Sequence, residues 1–422
     1  MNVKYEGNIT LVDERFNMII SGLPTFSICR IDLCIYYSWS ECPLHSYAIF
    51  RADGSGNIDL DTMKPIKGSY KSVDSMGLFY GLKDARGNYK RRKERDFTKE
   101  YITCNYIIKC QEEEHQETIV RYFTSETIQC LHIRQEFRGE YYYHIDKETR
   151  DCVILLGGSE GIINPILPIA ACLANKGYQV LALQYFDPES QKVKDSIQLP
   201  GNLECIPLEY IDKAIDWLIE RNEQNKVFIM GCSKGAELAL LAASKNKNIK
   251  KVVAIAPSAY VWQGIPSQTS SWSTSSWSSN GKPIPYMPFT IVNTLDILKN
   301  NLFGFLNLPQ GFFLSYEISR ILSFNKEQSR IKVENIEGDI CLIAGGKDTM
   351  WNSTKAIQLI RNRLDQNVDS RKIYKDQYHI YHKAGHCFYP PFIFTTDHVY
   401  GSSKYANYKA NEDSWKQIID FL

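Results

Sequence analysis

What this sequence lacks narrows its reading first. No window of about 18 uninterrupted apolar residues occurs anywhere in the chain, so no transmembrane helix of ordinary length is expected. The opening MNVKYEGNITLVDERF has neither a basic nor an apolar leader segment, and the expectation is a soluble, intracellular, cytoplasmic protein without membrane insertion. An excess of one charge is missing too. Lys and Arg number 49 against 48 Asp and Glu, a formal +1, which gives no bulk electrostatic case for nucleic acid or an anionic membrane. The 12 cysteines are scattered singly from Cys29 to Cys387. Without C-x-x-C or Cys/His spacing they offer no zinc site and read as reduced, mostly buried thiols. The run GGSEG at 157–161 matches neither G-x-x-x-x-G-K-[ST] nor a full G-x-G-x-x-G. No cofactor and no metal are expected. Asn8-Ile9-Thr10 and Asn352-Ser353-Thr354 match glycosylation acceptors in form only.

What is present centres on residues 226–244, KVFIMGCSKGAELALLAAS. An apolar, strand-like run breaks at Gly231-Cys232-Ser233-Lys234-Gly235 and resumes as a helix of small residues. G-x-S-x-G between strand and helix is the spacing of a nucleophile elbow, in which a tight turn demands small neighbours around the central serine. Ser233 then sits at a helix N-terminus, where unpaired N–H groups and the dipole favour developing negative charge, and the Lys234 N–H is a natural oxyanion donor. Cys232, although a thiol, is one residue off the apex and is expected to point into the fold.

Around this stretch the chain shows two patterns. Residues 1–140 hold aromatic and β-branched runs such as FSICRIDLCIYYSW and YITCNYIIKC between turn signals, which predicts an all-β, immunoglobulin-like antiparallel sandwich. Within it KRRKER at 90–95 reads as a solvated hairpin tip, with phosphate contact as the sharper alternative. Over 141–422 strands and helices alternate: CVILL at 152–156, a helical stripe of Ile166, Ile169, Ala170 and Leu173, a strand at 178–183, a second stripe of Leu208, Ile211, Ile215 and Leu218, and further strands at 227–230, 251–256 and 340–344. This predicts a mostly parallel, doubly wound sheet of α/β hydrolase type, with a C-terminal helix over 411–422. Residues 257–335 interrupt the rhythm as a lid or insertion, Ser/Trp-rich at 267–279 and apolar without clear register from 295 to 324.

A serine nucleophile needs a base and an acid to orient it, in the chain order Ser, acid, His for this architecture. Asp348 follows the strand CLIAGG, and His386 follows the strand-like 378–382; both lie where strand-end loops should be. His379 and His382 fall within that strand, and His398 is the weaker competitor. Helix capping is the ordinary alternative for Asp348. The second oxyanion donor is expected from the loop after the first strand, as the N–H of Ser159 or Glu160.

These residues resemble the acyl-CoA thioesterase and bile acid-CoA:amino acid N-acyltransferase family. The likeness runs through Trp39-Ser40, Ala52-Asp53-Gly54, Gly68-Ser69-Tyr70, Asp74-Ser75-Met76-Gly77-Leu78, Pro207-Leu208-Glu209-Tyr210, the elbow, Gly345 with Asp348, Trp351 and Ser353, and Ala384-Gly385-His386 with Pro390-Pro391. The resemblance implies cleavage of acyl-CoA thioesters by Ser233, His386 and Asp348 through an acyl-enzyme. It also implies an alternative, since the family's N-acyltransferases carry cysteine at the elbow apex where this chain has serine. The chain departs from the family pattern at Lys347-Asp348, where two adjacent acids are common, and in the Ser/Trp-rich stretch after Pro257. A general carboxylesterase and a non-catalytic binding protein are the remaining readings.

Overall fold

The structure is a computed structural model that describes residues 1–40, 42–84, 96–145, 151–189, 197–221, 226–265, 274–306, 308–367, 371, 373–395 and 400–422. KRRKER, Trp272 and His398 lie outside the described residues. Two compact units are formed, Met1–Ile128 with Tyr389–Thr395, and Gln129–Phe388 with Thr396–Leu422.

The first unit is built from β1 (Asn2–Gly7), β2 (Phe16–Ser21), β3 (Ile28–Tyr37), β4 (Leu44–Arg51), β5 (Ile58–Asp59), β6 (Lys67–Gly68), the one-turn helix α1 (Gly77–Tyr80), β7 (Lys83–Asp84), β8 (Tyr101–Cys110) and β9 (Glu113–Tyr122). They form two antiparallel sheets, β1-β2-β5 and β6-β4-β3-β8-β9, with β7 also on β4. Period-two alternation sets the register. Cys29, Ile31, Leu33, Ile35 and Tyr37 of β3 face Cys110, Ile108, Tyr106, Cys104 and Ile102 of β8 pair by pair, and all ten are buried. Trp39 closes one end, with ring centroids 4.7 Å from Tyr37, 5.5 Å from Phe97 and 5.6 Å from Phe123. None of the 12 cysteines is in a disulfide, and burial pushes the thiols of Cys29, Cys104, Cys152 and Cys341 up to about 12.

The second unit runs β10 (Ile128–Ile133), β11 (Arg138–His144), β12 (Cys152–Leu156), α2 (Leu167–Asn175), β13 (Gln179–Gln184), β14 (Ile206–Pro207), α3 (Glu209–Arg221), β15 (Val227–Cys232), α4 (Lys234–Ala243), β16 (Ile249–Ile255), β17 (Trp277–Ser279), β18 (Lys282–Pro283), α5 (Val292–Phe305), α6 (Phe313–Leu322), β19 (Asp339–Gly345), α7 (Ser353–Asp365), β20 (Gln377–Tyr381) and α8 (Lys404–Phe421). Its eight-stranded sheet has the order β10-β11-β13-β12-β15-β16-β19-β20. Pairing is parallel from β13 through β20, and β11 runs antiparallel to β13. The central strands are buried throughout because crossover helices cover both faces, which is why they read as unbroken apolar runs.

The unit boundary falls between Ile128 and Gln129 and not at 140, since the run QCLHIRQEF supplies most of β10 and the RGEYYYH that follows it forms β11, both at one edge of the eight-stranded sheet. A half-buried strand shows the same alternation whichever sheet it joins. Helix α8 starts at Lys404, ahead of the expected 411, on a Ser403 cap that accepts from the Ala406 N–H. Residues 257–335 contain β17, β18, α5 and α6, and β17 joins β14 and β18 in a small separate sheet.

Trp39→Ala should remove the aromatic plug of the first unit at a cost of about 3–5 kcal/mol. A lower urea midpoint by far-UV circular dichroism is the expected result.

Candidate active site

The elbow comes from close packing of backbone. Ser233 sits at φ 58°, ψ −121° between β15 and α4. A Cβ on Gly231 would lie 2.1 Å from the Gly235 carbonyl oxygen, and one on Gly235 would lie 2.2 Å from that of Gly157. Neither approach admits a side chain, which is the physical content of the two glycines in the motif. The Ser233 N–H donates to Ile255 at 2.9 Å, and its carbonyl accepts from Ala236 and Glu237 at 3.0 and 3.2 Å, so the helix begins at once.

Asp348 lies in the turn after β19. Its Oδ1 accepts from the N–H groups of Met350 (2.8 Å) and Trp351 (3.2 Å), and its Oδ2 accepts from the Ser353 hydroxyl at 2.7 Å. The same Oδ2 is 2.9 Å from His386 Nδ1, and His386 Nε2 is 2.9 Å from Ser233 Oγ. A carboxylate at Nδ1 holds that proton in place and leaves the Nε2 lone pair for the hydroxyl. His386 is held by the Asn407 side chain, which accepts from the Gly385 N–H at 2.8 Å, and by Trp351, whose ring meets the imidazole edge-on at 5.2 Å and 88°. Ser233, Asp348 and His386 are all buried.

Of the expected oxyanion donors, the Lys234 N–H opens α4. In the loop after β12, Tyr185 Oη lies 2.7 and 2.8 Å from the carbonyl oxygens of Gly157 and Gly158. Peptide planarity then turns the Ser159 N–H away from Tyr185. Gly158 adjoins the elbow, since a Cβ there would lie 3.6 Å from Ser233 Cβ and 2.8 Å from Glu160 Oε2.

Sequence reasoning missed the polar centre beneath the elbow. Lys234 and Glu237 are fully buried, with Nζ 2.8 Å from both carboxylate oxygens. Glu237 Oε1 also accepts from the Trp277 indole at 2.8 Å and the Trp262 N–H at 3.0 Å. Burial pulls the Lys234 ammonium below its ordinary value and pushes the Glu237 carboxyl above its own, each opposed by the partner's charge. The available signal was lysine and glutamate three apart on a helix that is otherwise apolar. A run of aromatic contacts, Trp262 to Tyr316 (4.6 Å), Tyr316 to Trp351 (5.0 Å) and Trp351 to His386, leads from the 257–335 segment to the imidazole.

The other candidates stand apart from this arrangement. Cys232 is the last residue of β15, and it is the Ser233 hydroxyl that meets His386. His379 Nε2 lies 3.1 Å from Gln377, and burial lowers its pKa. Asn352 caps α7, accepting from the Lys355 N–H at 3.1 Å. Among the described residues, Cys130, His132 and Glu140 bring ligand-type atoms within 4.8 Å of one another. Glu140 is already shared between His132 and the Arg134 guanidinium, so the group reads as an ion-pair cluster on the sheet's edge. No helix of the described residues is long and apolar enough to cross a membrane.

Comparison with known proteins gives matches over both units. Residues 206–422 match the profile described as BAAT / acyl-CoA thioester hydrolase C terminal, and residues 13–135 match the acyl-CoA thioester hydrolase/BAAT N-terminal region. Human acyl-coenzyme A thioesterase 6 is 24% identical over 398 residues, covering 89% of this chain and 85% of that protein. Mouse acyl-coenzyme A amino acid N-acyltransferase 1 is 23% identical, covering 98% of this chain and 94% of that protein. Mouse peroxisomal succinyl-coenzyme A thioesterase is 22% identical, with 89% and 85% covered. A Pyrococcus furiosus esterase structure overlays at a TM-score of 0.38 and 17% identity, covering 70% of this chain and 91% of that one.

Glu237→Ala should leave the Lys234 ammonium buried without its counter-ion, at a cost of about 3–5 kcal/mol. Trp277→Phe, which removes one hydrogen bond to a charged acceptor, should cost about 1.5–3 kcal/mol. Chemical denaturation of the two variants beside the parent checks the order.

Proposed function

This chain belongs to the BAAT / acyl-CoA thioester hydrolase family, and from that premise we propose that it is a serine hydrolase that cleaves acyl-CoA thioesters to free acid and CoA. The observation that carries the reading is the bridging His386 imidazole, 2.9 Å from Ser233 Oγ on one side and 2.9 Å from Asp348 Oδ2 on the other.

In the proposed reaction Ser233 Oγ attacks the thioester carbonyl carbon as its proton passes to His386 Nε2. Asp348 stabilises the imidazolium through Nδ1 without itself being protonated. The carbonyl oxygen becomes an oxyanion, met by the N–H groups of Lys234 and Ser159; Ser159 is preferred to Glu160 because Tyr185 orients its peptide. The C–S bond then breaks, His386 returns its proton to the CoA sulfur, and the acyl group remains esterified to Ser233. Water, deprotonated by His386, attacks the acyl carbon; the bond from that carbon to Ser233 Oγ breaks, His386 returns the proton to Ser233 Oγ, and the acid leaves. No metal or bound cofactor takes part in these steps. The aromatic run to Trp351 keeps the imidazole edge out of bulk water, which strengthens the charge interactions around it.

A second reading, transfer of the acyl group to an amine, is favoured by one fact, the N-acyltransferase likeness over 98% of this chain. Product analysis with glycine or taurine present separates the two, since a transferase forms an amide and the proposed hydrolase forms free acid regardless.

Ser233→Ala should lower acyl-CoA hydrolysis, followed as free thiol, by at least about a thousandfold. Cys232→Ala should retain most of the activity. The reverse outcome would move the nucleophile to the cysteine.

A further inference from the structure

The Ser/Trp-rich stretch after Pro257 takes no part in the proposed steps, yet its end is built into the interior: Ser275, Ser276 and Trp277 are fully buried and Ser278 nearly so. Backbone ties hold it there. The N–H groups of Cys205, Ile206 and Leu208 donate to the carbonyls of Ser275, Ser276 and Ser278 at 2.8, 2.9 and 3.0 Å. A buried hydroxyl needs a partner, and these find theirs on neighbouring backbone, Ser276 Oγ donating to the Trp262 carbonyl at 3.0 Å and Ser278 Oγ to that of Cys205 at 2.8 Å. Trp277 is therefore set in one place. Three of its side-chain contacts lead to the site. The indole N–H donates to Glu237 Oε1 at 2.8 Å, Lys234 Nζ lies over the ring at 5.3 Å from its centroid, and the Tyr185 ring meets it edge-on with centroids 5.8 Å apart.

Lys234 and Tyr185 each govern one proposed oxyanion donor. Lys234 carries an N–H itself, in the first turn of α4. Tyr185 shares its hydroxyl proton between the carbonyl oxygens of Gly157 and Gly158 and so orients the peptide that ends in the Ser159 N–H. Burial holds the ionisation of Tyr185 well above its ordinary value, so the hydroxyl keeps the proton it donates. We propose that Trp277 is a positioning residue that fixes the spacing of the Lys234 and Ser159 N–H groups from beneath, without touching substrate; the proposal rests on the serine-hydrolase reading above. The two donors come from different elements, α4 and the loop after β12. Those elements meet through the backbone of Gly157 and Gly235, and neither glycine offers a side chain to set the spacing. An indole suits the task because it is rigid and acts in several directions at once, its N–H on the carboxylate, its face on the ammonium and its rim on the phenol. An error of about 1 Å in such a spacing costs about a hundredfold in rate. The end of the Ser/Trp-rich stretch thus serves as a strut under the site.

The test measures two rates on the full chain, steady-state release of CoA and labelling of Ser233 by a fluorophosphonate probe, which also builds negative charge on an oxygen beside the serine. Trp277→Phe keeps a ring against Tyr185 and removes the indole N–H, and Tyr185→Phe keeps its ring and releases the two carbonyls. Each should lower kcat about tenfold or more with KM within about twofold, and should slow labelling by a similar factor. Labelling should still run to completion in both variants, which shows that every molecule retains its fold and that the lost rate reports geometry. If Trp277→Phe fails to fold, the benzothiophene analogue of tryptophan at 277, with sulfur in place of the indole N–H and nearly the same shape, takes its place with the same expected result. Trp277 variants that label completely at the parental rate, or whose loss is confined to KM, would overturn the proposal. A parent that is labelled at Ser233 but releases no CoA would defeat the thioester reading, and the labelling rates of the variants would still decide this one. A parent that neither releases CoA nor takes the label would overturn both.

Discussion

The backbone turn at Ser233 is the constraint on which the rest of the second unit depends. A serine held at φ 58° lies in a region that side chains occupy reluctantly, and such a conformation persists only where its surroundings over-determine it. Here the surroundings are backbone atoms. Gly231 is pressed against Gly235, and Gly235 against the carbonyls of Leu156 and Gly157. The elbow is thereby fastened to the end of β12, and the same contact brings the loop from Gly157 onward beside the serine. Strand order does the remaining work, because β15, β16, β19 and β20 are neighbours and their carboxyl ends put the turns bearing Ser233, Asp348 and His386 on one rim.

Below that rim the protein keeps an ion pair where apolar packing would be cheaper. A buried lysine and glutamate are a poor source of net stability, so their presence asks for another use. Glu237 binds the Lys234 side chain on one side and the Trp262 N–H and Trp277 indole on the other. One carboxylate thus ties the first turn of the elbow helix to two points in the 257–335 segment. Lys234, whose N–H is the proposed oxyanion donor, has its side chain fixed beneath the site, and Trp262 starts the aromatic run that ends on His386.

Much of this was legible in the residues. The fully buried strands announced themselves as apolar runs, and the stripe of Ile166, Ile169, Ala170 and Leu173 is followed by α2 up to Asn175, with Gly177 at φ 94° just past its end. The family likeness read from scattered motifs agrees with the profile matches over both units. Other parts were hidden for physical reasons. The alternation of β10 and β11 says that one face is buried but not which sheet they join. The partners of Glu237 lie 25 and 40 residues away along the chain, and only the fold brings them together. Helix α7 begins at the Asn352 cap, and Ile357, Ile360 and Leu364 mark its buried side, a pattern overshadowed by the nearby acid.

The account turns on one bond, between the acyl carbon and the Ser233 oxygen. The direct measurement is rapid quenching of the protein with acyl-CoA in a single turnover, followed by peptide mass spectrometry. The account predicts an acyl adduct on the peptide that carries Ser233, forming as CoA is released and decaying as free acid appears. An adduct on a cysteine, or CoA release with no adduct at any time, would contradict it.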